Sequence, residues 1–352
     1  MINHTEDREN MIHEKVLIIC EESKYIQLYQ TMFSEVISEN VILLDKVFQK
    51  TVTQFEKIIF ANKIKKIVGK FLPYLFWNRF QIISQINKIN KKSEEPIYLI
   101  FLSPCLQKYY TKELLKRIKE KYPQVRTGLL FVDSVFVQQA ANALELALDK
   151  ELFDEVYSFD KKDSEKYGFK HVDTPYSRYK ENQKKSMYDL YFCGSVKGRA
   201  ELLKNINDKL KNDVSCSWDI FSNKSTNSKE IECIQTFTRC RDRSEVLPYS
   251  EVLERTMKAG CILDIVQKGQ NGNTIRYYEA ICNDKKLLTN NRSVLNSKYY
   301  DPRYIQYFSK AEEIDVEWIK RPCEVNFGYQ GEFSPEILIR KFISECEEKN
   351  DK

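Results

Sequence analysis

A loop rich in glycine and amides, Gln267-Lys268-Gly269-Gln270-Asn271-Gly272-Asn273-Thr274, runs directly into Ile275-Arg276-Tyr277-Tyr278-Glu279-Ala280. Arg276 and Glu279 are three residues apart and share one face at the start of a helix. A guanidinium in that position can grip a phosphate as a two-pronged donor. A carboxylate beside it can accept hydrogen bonds from ribose hydroxyls, and Gln270, Asn273 and Thr274 add polar groups at the same junction. The competing reading is a helical surface ion pair, worth only ~0.2–0.5 kcal/mol.

A second junction has similar chemistry. The run Tyr188–Cys193 (YDLYFC) leads into Gly194-Ser195-Val196-Lys197-Gly198, and a helix follows from Arg199. A strand, a turn and a helix in this order present free backbone N–H groups and the positive end of a helix dipole. Lys197 and Arg199 add positive charge, and Gly194 and Gly198 let the backbone approach a ligand closely. Many such junctions serve packing alone.

Carboxylates that could take a proton stand at strand ends. Asp133 ends the run Thr127–Val132 (TGLLFV), and Glu21 and Glu22 end the first strand. Ligands of open α/β sheets collect at those ends, so Asp133 is the first candidate for a general base and Glu22 a weaker one. A strand-end Asp also commonly caps the following turn. A lone His171 reads as structural. The chain contains no Asp-X-Asp triplet.

These residues need elements to hold them. Lys15–Cys20 (KVLIIC) and Pro96–Leu102 (PIYLIFL) are continuous apolar runs, as strands buried on both faces would be. The stretch between them reads as helical. Thr111–Lys121 is an amphipathic helix, followed by strands at Thr127–Val132 and Glu155–Phe159. The alternation resumes at Tyr188. Helices are expected at Arg199–Leu210, Tyr249–Lys258 and Thr274–Asn283, with strands at Ser215–Phe221, Gly260–Val266 and Lys286–Thr289. Alternation of this kind specifies parallel sheets with helical crossovers. Ser334-Pro335-Glu336 opens a last helix, with Ser as the cap and Pro in the first helical position.

The chain has 352 residues, more than one core usually organises, so two domains are expected. The polar run Arg178–Ser186 reads as the linker. The division is a polar tail at 1–14, an N-terminal domain at 15–186, a C-terminal domain at 187–333, and a C-terminal helix at 334–352 that packs back on the N-terminal domain. A net charge of +5, from 56 basic and 51 acidic residues, is too mild to imply a nucleic-acid partner. Ten cysteines without a C-x-x-C pair, and only three histidines, make a structural zinc site improbable; the cysteines read as small buried hydrophobes. The N-terminus lacks the apolar core of a signal peptide, and no run approaches about 18 apolar residues, so a cytoplasmic protein is expected. Residues 55–92 carry nine Lys or Arg against the single acid Glu56, interleaved with Phe71, Tyr74, Phe76, Trp77 and Phe80. Such a stretch suits the face of an anionic membrane; equally, its apolar positions can pack on the sheet while the lysines are solvated.

The segments YDLYFCGSVKGRAELLKNI, LPYSEVLERTMKAGCILDI and GQNGNTIRYYEAICNDKKLLTNN resemble the C-terminal half of bacterial GT-B-type glycosyltransferases from capsule and lipopolysaccharide gene clusters. LLFVDSV and FDEVYSFDKKDSEKYGFKHVDTPY resemble part of the N-terminal half, whereas residues 24–95 match nothing recognisable. The resemblance implies two Rossmann-like domains facing across a cleft, a nucleotide-sugar donor on the C-terminal domain, and a saccharide or lipid-linked acceptor on the N-terminal one. It implies no cofactor beyond the nucleotide-sugar co-substrate and no metal. Gly194, Lys197 and Arg199 fall where such enzymes approach the diphosphate, and Arg276 and Glu279 where they contact phosphate and ribose. One departure matters. Many retaining members have two glutamates separated by seven residues; Glu279 fits the second, but Asn271 stands at the first, so the stereochemical outcome stays open. A polyol-phosphate transferase of similar architecture, or a two-domain nucleotide- or glycan-binding protein without turnover, are the alternatives.

Overall fold

The computed structural model describes residues 12–20, 26–48, 77–91, 94–107, 110–135, 141–179, 186–196, 198–222, 229–230, 232, 237, 240–241, 247–266 and 272–350. The chain divides into two compact units, Met1–Pro175 with Ser334–Lys352, and Tyr176–Phe333. Of the expected linker, residues 180–185 lie outside the described residues.

The first unit contains β1 (Lys15–Ile19), α1 (Ile26–Met32), β2 (Val41–Leu44), α2 (Gln81–Asn90), β3 (Ile97–Leu102), α3 (Lys112–Lys121), β4 (Val125–Phe131), α4 (Ala141–Ala147), β5 (Glu155–Ser158), α5 (Lys161–Tyr167) and β6 (Lys170–His171). Its sheet has the order β2-β1-β3-β4-β5-β6, with every pair parallel. All six residues of β3 are buried, which is why its sequence is an unbroken apolar run. Helix α3 starts where Thr111 Oγ1 accepts the Leu114 amide at 3.2 Å, and it turns Leu114, Leu115 and Ile118 inward. Helix α5 carries no apolar periodicity and was not foreseen. Its limits are set by Asp160, which caps the amides of Lys162 and Asp163, and by Gly168 in the left-handed conformation at φ 72°. Strand β2 corrects the helical reading of the stretch after β1: four residues, too few to show a period, pair in parallel with Val16–Ile19.

The apolar residues of 77–91 also have a definite place. Trp77, Phe80, Ile82, Ile83, Ile86 and Ile89 belong to the core of this unit. In the described part of the basic stretch the apolar side chains therefore pack inward; residues 55–76 lie outside the described residues.

The second unit contains β7 (Tyr188–Ser195), α6 (Ala200–Leu210), β8 (Cys216–Phe221), β9 (Cys240–Arg241), α7 (Tyr249–Met257), β10 (Ala259–Asp264), α8 (Ile275–Cys282), β11 (Lys286–Thr289), β12 (Ile305–Tyr307) and α9 (Val316–Lys320). Its sheet runs β12-β11-β10-β7-β8-β9, again parallel throughout. Both units are therefore Rossmann-like. The last helix, α10 (Pro335–Asn350), returns to the first unit. There Phe342 meets the rings of Tyr98 and Tyr157 edge-on, and Lys349 pairs with Glu155. The close seat of Phe342 depends on Gly128 in β4: a Cβ there would lie 2.9 Å from the Phe342 ring. No helix among the described residues is long and apolar enough to cross a membrane.

Candidate functional site

In the second unit the chain leaves β7 toward β8 and β9 on one side, and returns through β10 to β11 and β12 on the other. Between β7 and β10 the direction of winding reverses. In open parallel sheets this reversal leaves a crevice beyond the carboxyl ends of the two strands, where ligands bind. Both junctions singled out by sequence arrive at this point.

The first junction is shaped by Arg199. Strand β7 continues through Gly194 and Ser195, which pair with Ile220 and Phe221, so these two residues are strand and not turn. The guanidinium of Arg199, at the N-cap position of α6, donates to the carbonyls of Ser195, Val196 and Ile265 and lies over the Phe192 ring. It thus ties the end of β7 to the segment after β10. Gly194 makes room for it: a Cβ there would sit 3.0 Å from Phe192 and 3.2 Å from Arg199 Nη2. Burial lowers the Arg199 pKa to about 10, against the pull of Asp264. Gly198 has φ 74°, and its amide donates to Glu230 at 2.8 Å. Lys197 lies outside the described residues.

The second junction is built around Thr274. Its hydroxyl accepts the Arg276 amide at 3.1 Å, capping α8, and donates to Asp264 Oδ1 at 2.9 Å. Asp264 ends β10 and is buried; its other oxygen accepts from Thr289 at 2.9 Å. Burial raises its pKa, while the two threonines, Arg199 and Arg276 oppose the rise. Asn273 Oδ1 lies 3.0 Å from Ser293 Oγ, and Asn291 donates to the Gly272 carbonyl at 3.3 Å. Gln270 lies outside the described residues.

Arg276 projects from the first turn of α8 toward the end of β7. One terminal nitrogen pairs with Glu279, and the other donates to the Cys193 carbonyl at 3.3 Å. The rest of its donor fork has no partner among the described residues, and its side chain keeps 13% exposure. Burial works against its charge, but Glu279 outweighs burial and the pKa lies well above the usual arginine value. Glu279 is fully buried and accepts from both Arg276 and the Tyr249 hydroxyl. Burial pushes the neighbouring Cys193 thiol up to about 11, which leaves it a poor nucleophile near neutral pH.

Sequence reasoning placed Arg276, Glu279, Thr274, Arg199 and Gly194 at these junctions, and the structure brings the two junctions together at the ends of β7 and β10. It did not single out Asp264 or Tyr249. The signal for Asp264 was a lone acid at the end of the apolar run GCILDIV. Tyr249, thirty residues from Glu279 on another helix, left none.

In the first unit Asp133 follows β4 and is half-buried. The turn it belongs to is held by Asp163 of α5, whose Oδ2 accepts from the Val135 amide at 2.9 Å and the Ser134 hydroxyl at 3.1 Å. Glu22 lies outside the described residues, and His171 is exposed in β6. Among the described residues no three His, Cys, Asp or Glu side chains gather into a metal-binding group.

No protein-family model matches the sequence, and no curated protein matches it. Solved structures do. The lipopolysaccharide outer core galactosyltransferase WaaB, in its apo form, is similar over 96% of this chain and 100% of its own, at 13% identity and a TM-score of 0.49. S. aureus MnaA with UDP matches over 96% and 97%, at 12% identity and 0.45. T4 phage BGT with UDP and Mn2+ matches over 95% and 97%, at 15% identity and 0.42. None of the three reaches 0.5, so the two Rossmann-like units are established by the chain's own strand order.

Proposed function

We propose that this chain is a GT-B-type glycosyltransferase that binds a nucleoside-diphosphate sugar in the second unit and transfers the sugar to a saccharide or lipid-linked saccharide of a surface polysaccharide. The observation that carries the reading is Arg276: a charged fork with donors that no described residue takes, on the first turn of a helix, at the winding reversal between β7 and β10. The segments that resemble capsule and lipopolysaccharide enzymes support the choice of donor and acceptor class.

In this reading Arg276 and the start of α8 hold the diphosphate, with Thr274 and Asn273 around it; Gln270 and Lys197 remain candidates from the sequence alone. Arg199, Gly194 and Asp264 keep the crevice in shape, and Glu279 contributes by fixing Arg276. If the transfer is inverting, Asp133 is the base that takes the proton of the acceptor hydroxyl as the hydroxyl oxygen attacks the anomeric carbon, with Glu22 the second choice. The bond from the anomeric carbon to the diphosphate breaks, and the electron pair leaves on the phosphate oxygen. Arg276 and the helix dipole stabilise that charge without a metal.

A panel of UDP-, GDP-, TDP- and CMP-sugars, followed by thermal shift and by hydrolysis, tests the proposal. A true donor at a hundred times its Kd stabilises the fold by about 2.7 kcal/mol. A panel in which no nucleotide sugar shifts the protein defeats the proposal; a shift without any hydrolysis or transfer favours a binding protein. Activity that survives a chelator supports metal independence.

A further inference from the structure

Glu279 is buried, and as the ion-pair partner of Arg276 it offers only lone pairs. One carboxylate oxygen accepts from Arg276 and the other accepts the Tyr249 hydroxyl hydrogen bond. With its proton committed, Tyr249 must accept from Tyr176, whose hydroxyl lies 3.2 Å away. The direction of the whole series is therefore set: Tyr176 donates to Tyr249, Tyr249 to Glu279, and Arg276 to Glu279 from the opposite side. Burial raises both phenols well above their usual pKa, so they stay protonated donors across any working pH. Tyr176 is itself fixed, since its amide donates to the Phe333 carbonyl at 2.7 Å and the Phe333 ring meets that of Tyr278 on α8 at 4.8 Å.

We infer that Tyr249, backed by Tyr176, is a positioning residue that sets the orientation of the Arg276 guanidinium through Glu279, and so decides which of its donors are left for a diphosphate. The inference rests on the reading of Arg276 as a phosphate contact. Without the Tyr249 proton, one buried oxygen of Glu279 lacks a donor. The nearest remedy is a second bond from Arg276, closing the pair into a two-pronged fork. That rotation draws the guanidinium off the Cys193 carbonyl and turns its remaining N–H groups away from their present orientation.

The test uses the full chain, with UDP and uridine as probes and the Arg276 guanidinium followed by NMR in the absence of ligand. In Tyr249→Phe the Arg276 signals shift, UDP affinity falls about tenfold, and uridine affinity is unchanged, as expected when one charge-assisted contact is lost. Tyr176→Phe, which leaves the Tyr249–Glu279 bond in place, gives a smaller change in the same direction and serves if Tyr249→Phe folds poorly. Unmoved guanidinium signals in both variants overturn the positioning role, whatever UDP does. Shifted signals in a protein that binds no nucleoside diphosphate uphold it and remove the donor reading instead.

Discussion

Thr274 donates to Asp264 at 2.9 Å, and this one bond fastens the start of α8 to the carboxyl end of β10. The same hydroxyl accepts the Arg276 amide, so the residue that caps the helix also satisfies a buried acid. Thr274→Val keeps the shape and removes both functions. Loss of the cap costs about 1 kcal/mol and an undonated carboxylate oxygen about 1–3 kcal/mol more. Urea denaturation should show a loss of about 2–4 kcal/mol, with Thr274→Ser restoring most of it. A Thr274→Val protein within 0.5 kcal/mol of wild type, roughly the scatter of neutral substitutions, would contradict this account.

The two arginines of the crevice should separate cleanly. Arg276→Ala is expected to weaken UDP by about 10- to 100-fold, the value of a charged hydrogen bond to phosphate, and uridine hardly at all. It also leaves Glu279 buried without its cation, a loss of about 3–5 kcal/mol. The double variant Arg276→Ala with Glu279→Gln relieves that penalty and isolates the binding effect. Arg199→Met removes the tie among Ser195, Val196 and Ile265, so it should lower stability while the UDP-to-uridine ratio stays constant. Equal losses of UDP and uridine in the Arg276 double variant would refute its assigned contact; calorimetric titration reads both.

Acid should act on this unit with two opposite signs. Burial alone would raise Glu332, but Lys298 and backbone amides outweigh it and hold the carboxyl near about 2. Its folded pKa lies below the unfolded value, so its contribution is present above 4.5 and lost as pH falls toward about 2. The pair is partly exposed, and the effect should stay below about 1 kcal/mol. Asp264 is raised, so its contribution is fully present below 3.8 and lost as pH rises through its folded pKa. Relative to wild type, Glu332→Gln should therefore lose its deficit on acidification, and Asp264→Asn should look worst in acid. Denaturation midpoints between pH 3 and 7 would show the two trends, and parallel curves would reject both.

Gly128→Ala should destabilise the first unit by about 1–3 kcal/mol, the usual range for overpacking, because the new methyl group meets the Phe342 ring at 2.9 Å. Phe342→Leu in the same chain should recover part of the loss. If the double variant is as unstable as the sum of the singles, the contact is not the cause.

The parts of this structure that could be read in sequence are those with local causes. Ile97–Leu102 forms a strand within the expected Pro96–Leu102, since six buried positions in a row leave an unbroken apolar run. Thr111 and Thr274 mark helix starts because a cap acts within one turn. Strand β2 was too short for its period to show, and α5 too polar. The surroundings of Glu279 were illegible for another reason. Its fellow residue on the helix, Arg276, was visible at a spacing of three, but Tyr249 comes from α7 and Tyr176 from the start of the unit. Burial of an acid is decided by such distant partners, and no periodicity announces them.

The bond from the Tyr176 amide to the Phe333 carbonyl joins the first and last residues of the second unit. That unit is one continuous piece of chain with its ends together, whereas the first is finished only by α10. During synthesis the second unit therefore has all its strands before Phe342 can reach Gly128. A chain released after Phe333 would carry the second unit whole and leave the first unit open over the face that α10 covers.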